Sequence, residues 1–357
     1  MPPLRDAAAL RMIDPIPRLG WVDAPSPVTA LPRLASALGV EFLGVKRDDL
    51  CEPLHGGMKM RKLDYVLAAP PLSTAAAWSA AGGIGSGNVA ALVAAAQRLG
   101  RRVHAHLFWT DVSRGVLDNL AFTASGPASI RFYPSRAELA LARPSLFLPL
   151  RARDDDGAAI VPLGATSALG MLGAARAALE LGAQIRAGEL PEPARVYVPL
   201  GSGGTAAGLA VGLALGGLRS RVVAVAVVER LLASRFRLRA LTAELRAALA
   251  RRGVAPVPPA APIDVVHGHL GRGYGSPTPA SLAACDALAA EGISLEPVYT
   301  GKAMAALMAH ARERRLGPVL FWQTARREPL PRHDGFCERL PAALSRRLGA
   351  HCGGGSR

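Results

Sequence analysis

The sequence predicts an α/β protein with parallel sheets flanked by helices. Short apolar runs rich in β-branched or aromatic residues alternate with longer stretches rich in alanine and leucine. The first kind has the length of a buried strand and the second that of a helix, so the alternation indicates βαβ units. At 357 residues, of which 50% are hydrophobic, the chain is long enough for two domains with buried cores.

The elements follow one another along the chain in an order that can be read from the sequence. Six runs are predicted as strands: EFLGVKR at 41, RVHAHLFW at 102, SIRFYP at 129, RVYVPL at 195, RVVAVAVVE at 221 and GPVLFWQT at 317. The stretches 88–100, 167–185 and 205–217 are predicted as helices. Segment 151–164 is predicted as a turn and crossover, with a domain boundary at or just after it.

The charge and the cysteines exclude several classes of protein. A net charge of +15 is compatible with nucleic-acid binding, but the arginines are scattered in pairs and aromatic residues are sparse, so no nucleic-acid partner is predicted. The cysteines form no C-x-x-C pair, so the sequence predicts neither a metal site nor a disulfide framework but reduced thiols. They are Cys51, Cys285, Cys337 and Cys352. Without a signal peptide or membrane span, a soluble cytoplasmic protein is expected.

Lysine is the rare basic residue in this chain. Of 42 basic residues only four are lysines, namely Lys46, Lys59, Lys62 and Lys302. A lysine amine can lose its proton and attack a carbonyl, whereas an arginine stays protonated at any accessible pH. Lys59 and Lys62 lie in HGGMKMRK, where two glycines let the backbone pass close to a ligand. These lysines are therefore candidates for covalent chemistry.

The glycine-rich turn LGSGGTAAGL, at 200–209, is a candidate phosphate site. It follows an apolar strand and opens a helix, where backbone amides bind anions, and Ser202 and Thr205 add hydroxyl donors. It lacks the Gly-Lys-Ser/Thr ending of a Walker loop. A dinucleotide fingerprint is a closer rival, with an acidic Glu229 about 20 residues on, but its glycine spacing is wrong by two residues. A plain strand-to-helix turn is a further alternative.

A second glycine turn, within 80–100, has the same strand, turn and helix layout. Ser86 and Asn88 stand at the start of its helix, where they are either ordinary N-caps or ligand contacts. A phosphate turn, a second polar turn and a lysine in a third glycine turn are together what an enzyme that uses pyridoxal 5'-phosphate needs. The lysine would bind the aldehyde and the polar groups would hold the phosphate and the ring.

These features resemble the pyridoxal-phosphate enzymes grouped as D-cysteine desulfhydrases and 1-aminocyclopropane-1-carboxylate deaminases, which have the tryptophan synthase β-like fold, also called fold type II. The resemblance covers about residues 24–324. It depends on six motifs that occur in the same order: 44–67, 82–100, 161–185, 199–213, GYGSPT at 273 and EPVYTGKAMAAL at 296.

The resemblance implies a role for each candidate residue. Lys59 is the lysine that bonds to the cofactor, and Lys62, one helical turn later, lies toward its phosphate. Ser86 contacts substrate or transfers a proton, Asn88 approximates the residue that bonds the ring hydroxyl, Tyr274 and Tyr299 face the substrate, and Thr300 faces the pyridine nitrogen. The phosphate loop is matched by Ser202, Gly203, Gly204 and Thr205.

The resemblance also implies a two-domain fold with the cofactor in the cleft between the domains. The predicted limits are 1–61 with 166–345 for a large cofactor-binding domain, 62–165 for a small domain and 346–357 for a disordered tail. A homodimer is expected because this fold commonly forms one.

The implied activity is that of a pyridoxal-phosphate-dependent lyase or deaminase acting on a small amino acid. A D-cysteine-like β-elimination would give a keto acid, ammonia and a leaving group such as sulfide. Three alternatives remain open at this point: a β-replacement synthase, a non-catalytic homologue that binds the cofactor, and a nicotinamide-dependent oxidoreductase that uses the 200–229 unit.

Three departures from the family pattern put D-cysteine itself in question. Met58 replaces the usual asparagine before the lysine, and the second turn reads Gly-Ser-Gly-Asn at 85–88. After the last strand, Ala325 and Arg326 stand where the family has glycines. Arg326 either meets an acidic substrate group or points to solvent, and solvent is the favoured interpretation.

Overall fold

The computed structural model describes residues 10–11, 13–22, 25–53, 55–148, 151–313, 315–326, 330 and 335–352. The chain forms two compact units. Unit 1 comprises Met1–Val66 and Thr166–Arg327, and unit 2 comprises Leu67–Ala165 and Glu328–Arg357. Across the described residues, every helix is too short or too polar to cross a lipid bilayer.

The described residues contain ten strands and eleven α-helices. The strands are β1 (Val28–Ala30), β2 (Leu43–Arg47), β3 (Ala77–Gly83), β4 (Arg102–Phe108), β5 (Ala128–Tyr133), β6 (Ala159–Ile160), β7 (Arg195–Leu200), β8 (Arg221–Ala226), β9 (Ile263–Val266) and β10 (Val319–Gln323). The α-helices are α1 (Pro32–Leu38), α2 (Gly57–Val66), α3 (Gly87–Leu99), α4 (Arg114–Ser125), α5 (Arg136–Ala142), α6 (Ala168–Arg186), α7 (Gly204–Leu215), α8 (Arg235–Ala250), α9 (Pro279–Ala289), α10 (Thr300–Glu313) and α11 (Ala342–Leu348). Short 3₁₀ turns occupy Asp48–Leu50, Pro144–Leu146, Leu163–Ala165, Phe336–Arg339 and Gly349–His351.

Unit 1 is built on a six-stranded sheet in the order β1-β2-β10-β7-β8-β9. All neighbours are parallel except β1 and β2, which are antiparallel. The central strands β7, β8 and β10 are almost continuously apolar and buried, as expected where helices cover both faces. One apolar cluster contains residues of α6, α7 and β7, and another contains residues of α1, α9 and α10. The predicted α/β class is therefore confirmed.

Helices α6 and α7 pack unusually closely because glycines line their contact. A Cβ on Gly208 would lie 2.4 Å from the carbonyl oxygen of Met171, and one on Gly212 would lie 2.3 Å from that of Ala175. Alanine at either position would therefore push the helices apart. This packing fixes the N-terminus of α7 with respect to the segment that precedes α6.

Unit 2 is built on a four-stranded parallel sheet in the order β5-β4-β3-β6. Its C-terminal segment contacts the rest of the unit through the guanidinium of Arg347, which stacks 4.3 Å from the centre of the Trp109 ring, and through a hydrogen bond from Arg339 to the Ser125 carbonyl. Phe336, Leu344 and Leu348 of this segment are buried.

Three expectations about this segment differ from the structure. Residues 346–352 form the end of α11 and a 3₁₀ turn instead of a disordered tail, and 353–357 lie outside the described residues. Cys337 and Cys352 form a disulfide, because α11 folds the chain back and brings their Cα atoms to 5.6 Å. The sequence spacing gave no sign of this. The segment also belongs to unit 2, whereas the prediction placed it up to residue 345 in the large domain.

Candidate functional site

The start of helix α2 is fixed against the end of strand β10. Gly57 has a φ of +79°, and a Cβ there would lie 2.5 Å from the Ala325 carbonyl oxygen, so only glycine fits. The Met58 amide donates to the Thr324 carbonyl at 3.2 Å. The Glu52 carboxylate accepts the amide of His55 at 2.8 Å. Lys59 is thus held on a helix that begins within the predicted glycine turn.

Lys59 and Lys62 lie one turn apart on α2 and repel each other. Burial lowers the pKa of Lys59 from 10.5 to about 8. The pKa of Lys62, whose side chain is fully buried, lies well below its usual range, first because of burial and second because of the charge on Lys59. Each amine therefore releases its proton more readily than an exposed lysine does. A dianionic ligand beside this pair would offset both effects.

A buried ion-pair cluster lies along α2 next to the lysines. The Arg61 guanidinium donates to both carboxylate oxygens of Glu180, at 2.9 and 2.8 Å, and to Asp48 at 2.9 Å. The indole N–H of Trp322, on β10, donates to the other oxygen of Asp48 at 2.7 Å. All four side chains are buried, so the cluster ties α2 to α6 and to the sheet.

The two acidic residues after β2 form separate ion pairs. Arg47 forms its ion pair with Asp49, at 2.6 Å, whereas Asp48 turns inward to Arg61. Lys46 belongs to the same buried region, where its amine donates to the Ser26 carbonyl and to the Gln184 side chain. Burial first, and then the charge of Arg61, lower the pKa of Lys46 to about 8. Its rarity therefore reflects a buried structural site.

The predicted phosphate loop lies at the N-terminus of α7 and is joined to Lys62. The Lys62 amine donates to the Thr166 hydroxyl at 3.0 Å, and that hydroxyl lies 2.7 Å from the Ser202 hydroxyl. Gly203 is the N-cap of α7 with a φ of +91° and supplies no side-chain cap. A Cβ on Gly204 would lie 2.6 Å from Thr166 Oγ1 and 2.8 Å from Lys62 Nζ. Two hydroxyls and an amine therefore converge on the amide end of a helix.

The two candidate tyrosines are in contact with each other near this loop. The rings of Tyr274 and Tyr299 meet edge to face, with centroids 6.1 Å apart and an interplanar angle of 88°. A Cβ on Gly201 would lie 2.5 Å from the Tyr299 hydroxyl. Tyr299 therefore approaches the backbone that leads into the phosphate loop.

Thr300 is buried and uses its hydroxyl within its own turn. The hydroxyl accepts the Glu296 amide at 2.8 Å and donates to the Glu296 carbonyl at 3.2 Å. The neutral side chain thus brings no negative charge to the position that the sequence assigns to the pyridine nitrogen. That assignment stays a prediction.

Ser86 and Asn88 belong to unit 2, at the start of α3. Ser86 is the N-cap, and its hydroxyl accepts the Val89 amide at 3.4 Å. A Cβ on Gly82 would lie 2.4 Å from the Ser86 hydroxyl, so glycine is required there. Asn88 is buried, and its amide oxygen has no hydrogen-bond partner among the described residues. A buried polar atom of this kind is suited to bond a ligand.

The departures from the family pattern have structural explanations. Met58 is buried in the apolar cluster that contains Leu200 and Trp322, so the asparagine position has become part of the core. Arg326 is half-buried and close enough to His55 to lower the pKa of that imidazole, after burial itself. The preferred interpretation of Arg326 as a side chain pointing to solvent stays a prediction.

The triple aspartate at 154–156 is an ion-pair network in unit 2. The His104, Asp154 and Asp156 ligand atoms lie within 4.8 Å of one another, which is the spacing of a metal site. However, Arg131 donates to Asp156 at 2.6 Å, and Asp154 accepts the backbone amides of Asp156 and Ala158. Arginine and backbone donors thus already bind both carboxylates, and Asp154 is buried.

Comparison with known proteins identifies the family. Residues 22–322 match the family described as pyridoxal-phosphate dependent enzyme. The chain belongs to this family. It is 33% identical over 318 residues to a D-cysteine desulfhydrase of Salmonella typhimurium, a match that covers 86% of this chain and 93% of the relative.

The solved structures agree with this assignment. A structure titled as a 1-aminocyclopropane-1-carboxylate (ACC) deaminase homologue is 27% identical with a TM-score of 0.74, covering 89% of this chain and 94% of that one. A fungal L-serine ammonia-lyase from Rhizomucor miehei, 17% identical with a TM-score of 0.59, shares the fold and covers 85% of this chain and 94% of that one.

The comparisons confirm the predicted family, fold type and cofactor, and they decide against the nicotinamide alternative. The residues of unit 1 fit pyridoxal phosphate, because the cluster of Lys62, Thr166 and Ser202 suits its phosphate. Sequence reasoning missed Thr166, although it lies in a matched motif, since a lone threonine at a helix start resembles an ordinary cap. It also missed the Arg61 cluster. The individual site residues and the domain limits stay predictions.

Proposed function

We propose that this enzyme, a pyridoxal-phosphate-dependent lyase or deaminase, eliminates a β leaving group from a small amino acid, with D-cysteine as the first candidate substrate. The observation that carries the proposal is the junction of Lys62, Thr166 and Ser202 at the start of α7, one helical turn from Lys59. The curated relatives named D-cysteine desulfhydrase support the choice of substrate. We further propose a homodimer, and the cytoplasmic location remains a prediction.

The cofactor would be held at two ends by residues of unit 1. Lys59 would bond to its aldehyde, and its phosphate would receive the Lys62 amine, the Ser202 and Thr205 hydroxyls and the amides at Gly203 and Gly204. The bound cofactor supplies an electron sink for negative charge at the substrate α carbon.

Lys59 would also carry the proton in this reaction. Its pKa of about 8 leaves a substantial neutral fraction near physiological pH, so the amine can accept the α proton and return a proton later. Tyr274 and Tyr299 would orient the substrate, and the neutral Thr300 would leave the ring nitrogen without a carboxylate partner. That weaker sink favours loss of a good leaving group such as thiolate.

The test is a comparison of the purified protein with Lys59→Ala and Lys62→Met. We expect the native protein to show a visible absorption band from the bound cofactor. Borohydride reduction should fix the cofactor covalently to Lys59, and peptide mapping should identify that residue. Lys59→Ala should lose both the band and the release of keto acid from D-cysteine, whereas Lys62→Met should keep the trapped peptide but need more cofactor. A band without keto acid from D-cysteine, D-serine or ACC would refute the proposed activity and leave the cofactor assignment intact.

A further inference from the structure

Lys302 is a fully buried lysine that the chemistry described above does not use. It lies on α10, and its Nζ donates to the backbone carbonyl of Leu270 at 2.7 Å and to that of Gly273 at 3.4 Å. Within the described part of the chain its amine forms no ion pair. Burial lowers its pKa, and the more distant Glu296 opposes this effect. An ammonium in this position is stabilised mainly by peptide carbonyls.

The carbonyls that Lys302 binds belong to the loop that presents Tyr274. Residues 267–275 contain neither helix nor strand. Four glycines of this loop adopt positive φ: Gly268 (+100°), Gly271 (+68°), Gly273 (+156°) and Gly275 (+88°). Glycines lose more backbone entropy than other residues when they become fixed, so this loop needs specific contacts to hold one conformation.

We propose that Lys302 is a positioning residue that fixes Tyr274 against Tyr299. Tyr299 immediately precedes α10, the helix that carries Lys302, and Gly273 immediately precedes Tyr274. One amine therefore connects the backbone on both sides of the edge-to-face tyrosine pair. An ammonium is compact and has three donors, so one amine can bind both carbonyls.

The role of Lys302 in fixing the loop does not depend on the proposed activity, whereas its effect on catalysis does. Trypsin can report on the loop alone, since Arg272 is exposed and lies between the two carbonyls that Lys302 binds. Lys302→Met keeps most of the length of the side chain and removes its donors. Cleavage after Arg272, identified by mass spectrometry, should become about tenfold faster or more, because charge-assisted hydrogen bonds no longer oppose local opening.

Arg47→Met is the control, because it also removes a cation from unit 1 but one whose ion pair with Asp49 is partly exposed. It should leave the cleavage rate after Arg272 unchanged. If Lys302→Met does not fold, Lys302→Gln, which keeps neutral N–H donors, should show the same increase to a smaller degree. Equal cleavage in the native protein and the Lys302 variants would overturn the proposal.

Chemical rescue separates the amine from a general packing effect. In Lys302→Ala, added ethylammonium should slow cleavage after Arg272, because it can donate to the Leu270 and Gly273 carbonyls. Tetramethylammonium carries the same charge but has no N–H, so it should have no effect. Equal rescue by both ions would contradict the assigned hydrogen bonds.

Catalysis provides the last measurement, once keto acid release has been established. Lys302→Met should lower kcat and leave the absorption band and the borohydride-trapped peptide unchanged. Combined with Tyr274→Phe it should be non-additive, because both changes act through one tyrosine. Additive losses would show that Lys302 acts elsewhere. If no substrate is turned over, the trypsin and amine experiments still decide whether Lys302 fixes the loop.

Discussion

Removing the buried guanidinium of Arg61 should destabilise unit 1 severely. The side chain makes three charge-assisted hydrogen bonds of 2.8–2.9 Å to Asp48 and Glu180, and all three residues are buried. Lys46 and Arg61 together balance the two carboxylates, so Arg61→Met leaves an excess buried negative charge. Breaking a buried ion pair in this way typically costs about 3 to 5 kcal/mol of unfolding free energy.

The assay is urea-induced unfolding monitored by tryptophan fluorescence. The buried Trp322 reports on this region directly, because its indole N–H donates to Asp48. Arg47→Met is the control, because its ion pair with Asp49 is partly exposed and should contribute about 1 kcal/mol or less. The double variant Arg61→Met, Glu180→Gln restores charge balance and should recover part of the loss. A deficit in Arg61→Met no larger than that of Arg47→Met would refute the argument.

Three further predictions concern the cofactor site and the C-terminal segment. Gly204→Ala should weaken cofactor binding about tenfold or more, since overpacking of the kind expected beside the Thr166 hydroxyl typically costs about 1–3 kcal/mol. Titration of the visible band with cofactor measures the affinity. The control is Gly115→Ala, whose added methyl meets open space and should leave the affinity unchanged. The pKa of Lys59 is lowered to about 8, so the fraction of neutral amine increases with pH and approaches its maximum above pH 8. The rate at which the apoprotein binds cofactor, measured by stopped-flow absorbance, should therefore rise with pH and level off above pH 8. A rate that continues to rise toward pH 10.5 would contradict this. Reduction of the disulfide should destabilise unit 2 by about 3 kcal/mol, as its sequence separation of 15 implies, and thermal unfolding of Cys352→Ser should not respond to reductant.

The sequence was informative where short motifs carry the chemistry. Close backbone contacts require Gly57 and Gly208, and close side-chain contacts surround Gly201, Gly203 and Gly204. The local sequence therefore directly reflects the geometry of the lysine helix and the phosphate loop. The alternation of buried strands and alanine-rich helices likewise predicted the α/β class.

The remaining features depend on contacts between residues far apart in the chain. Arg61 meets Glu180 across 119 positions, and Lys302 meets Leu270 across 32, so no local pattern distinguishes them from solvated charges. Cys337 and Cys352 are separated by 15 positions in the sequence, and their disulfide requires the chain reversal made by α11.

Helix α2 fixes the distance between the two lysines that we propose to hold the cofactor. A helix rises about 1.5 Å and turns about 100° per residue, so Lys59 and Lys62 leave one face about 4.5 Å apart along the axis. The first turn of α2 is fixed at both ends. Gly57 packs against the Ala325 carbonyl at its start, and Arg61 forms ion pairs with the buried Asp48 and Glu180 at its end. An insertion or deletion between the lysines would swing one of them out of reach. Loops that face the substrate can therefore change in sequence without changing the distance between Lys59 and Lys62.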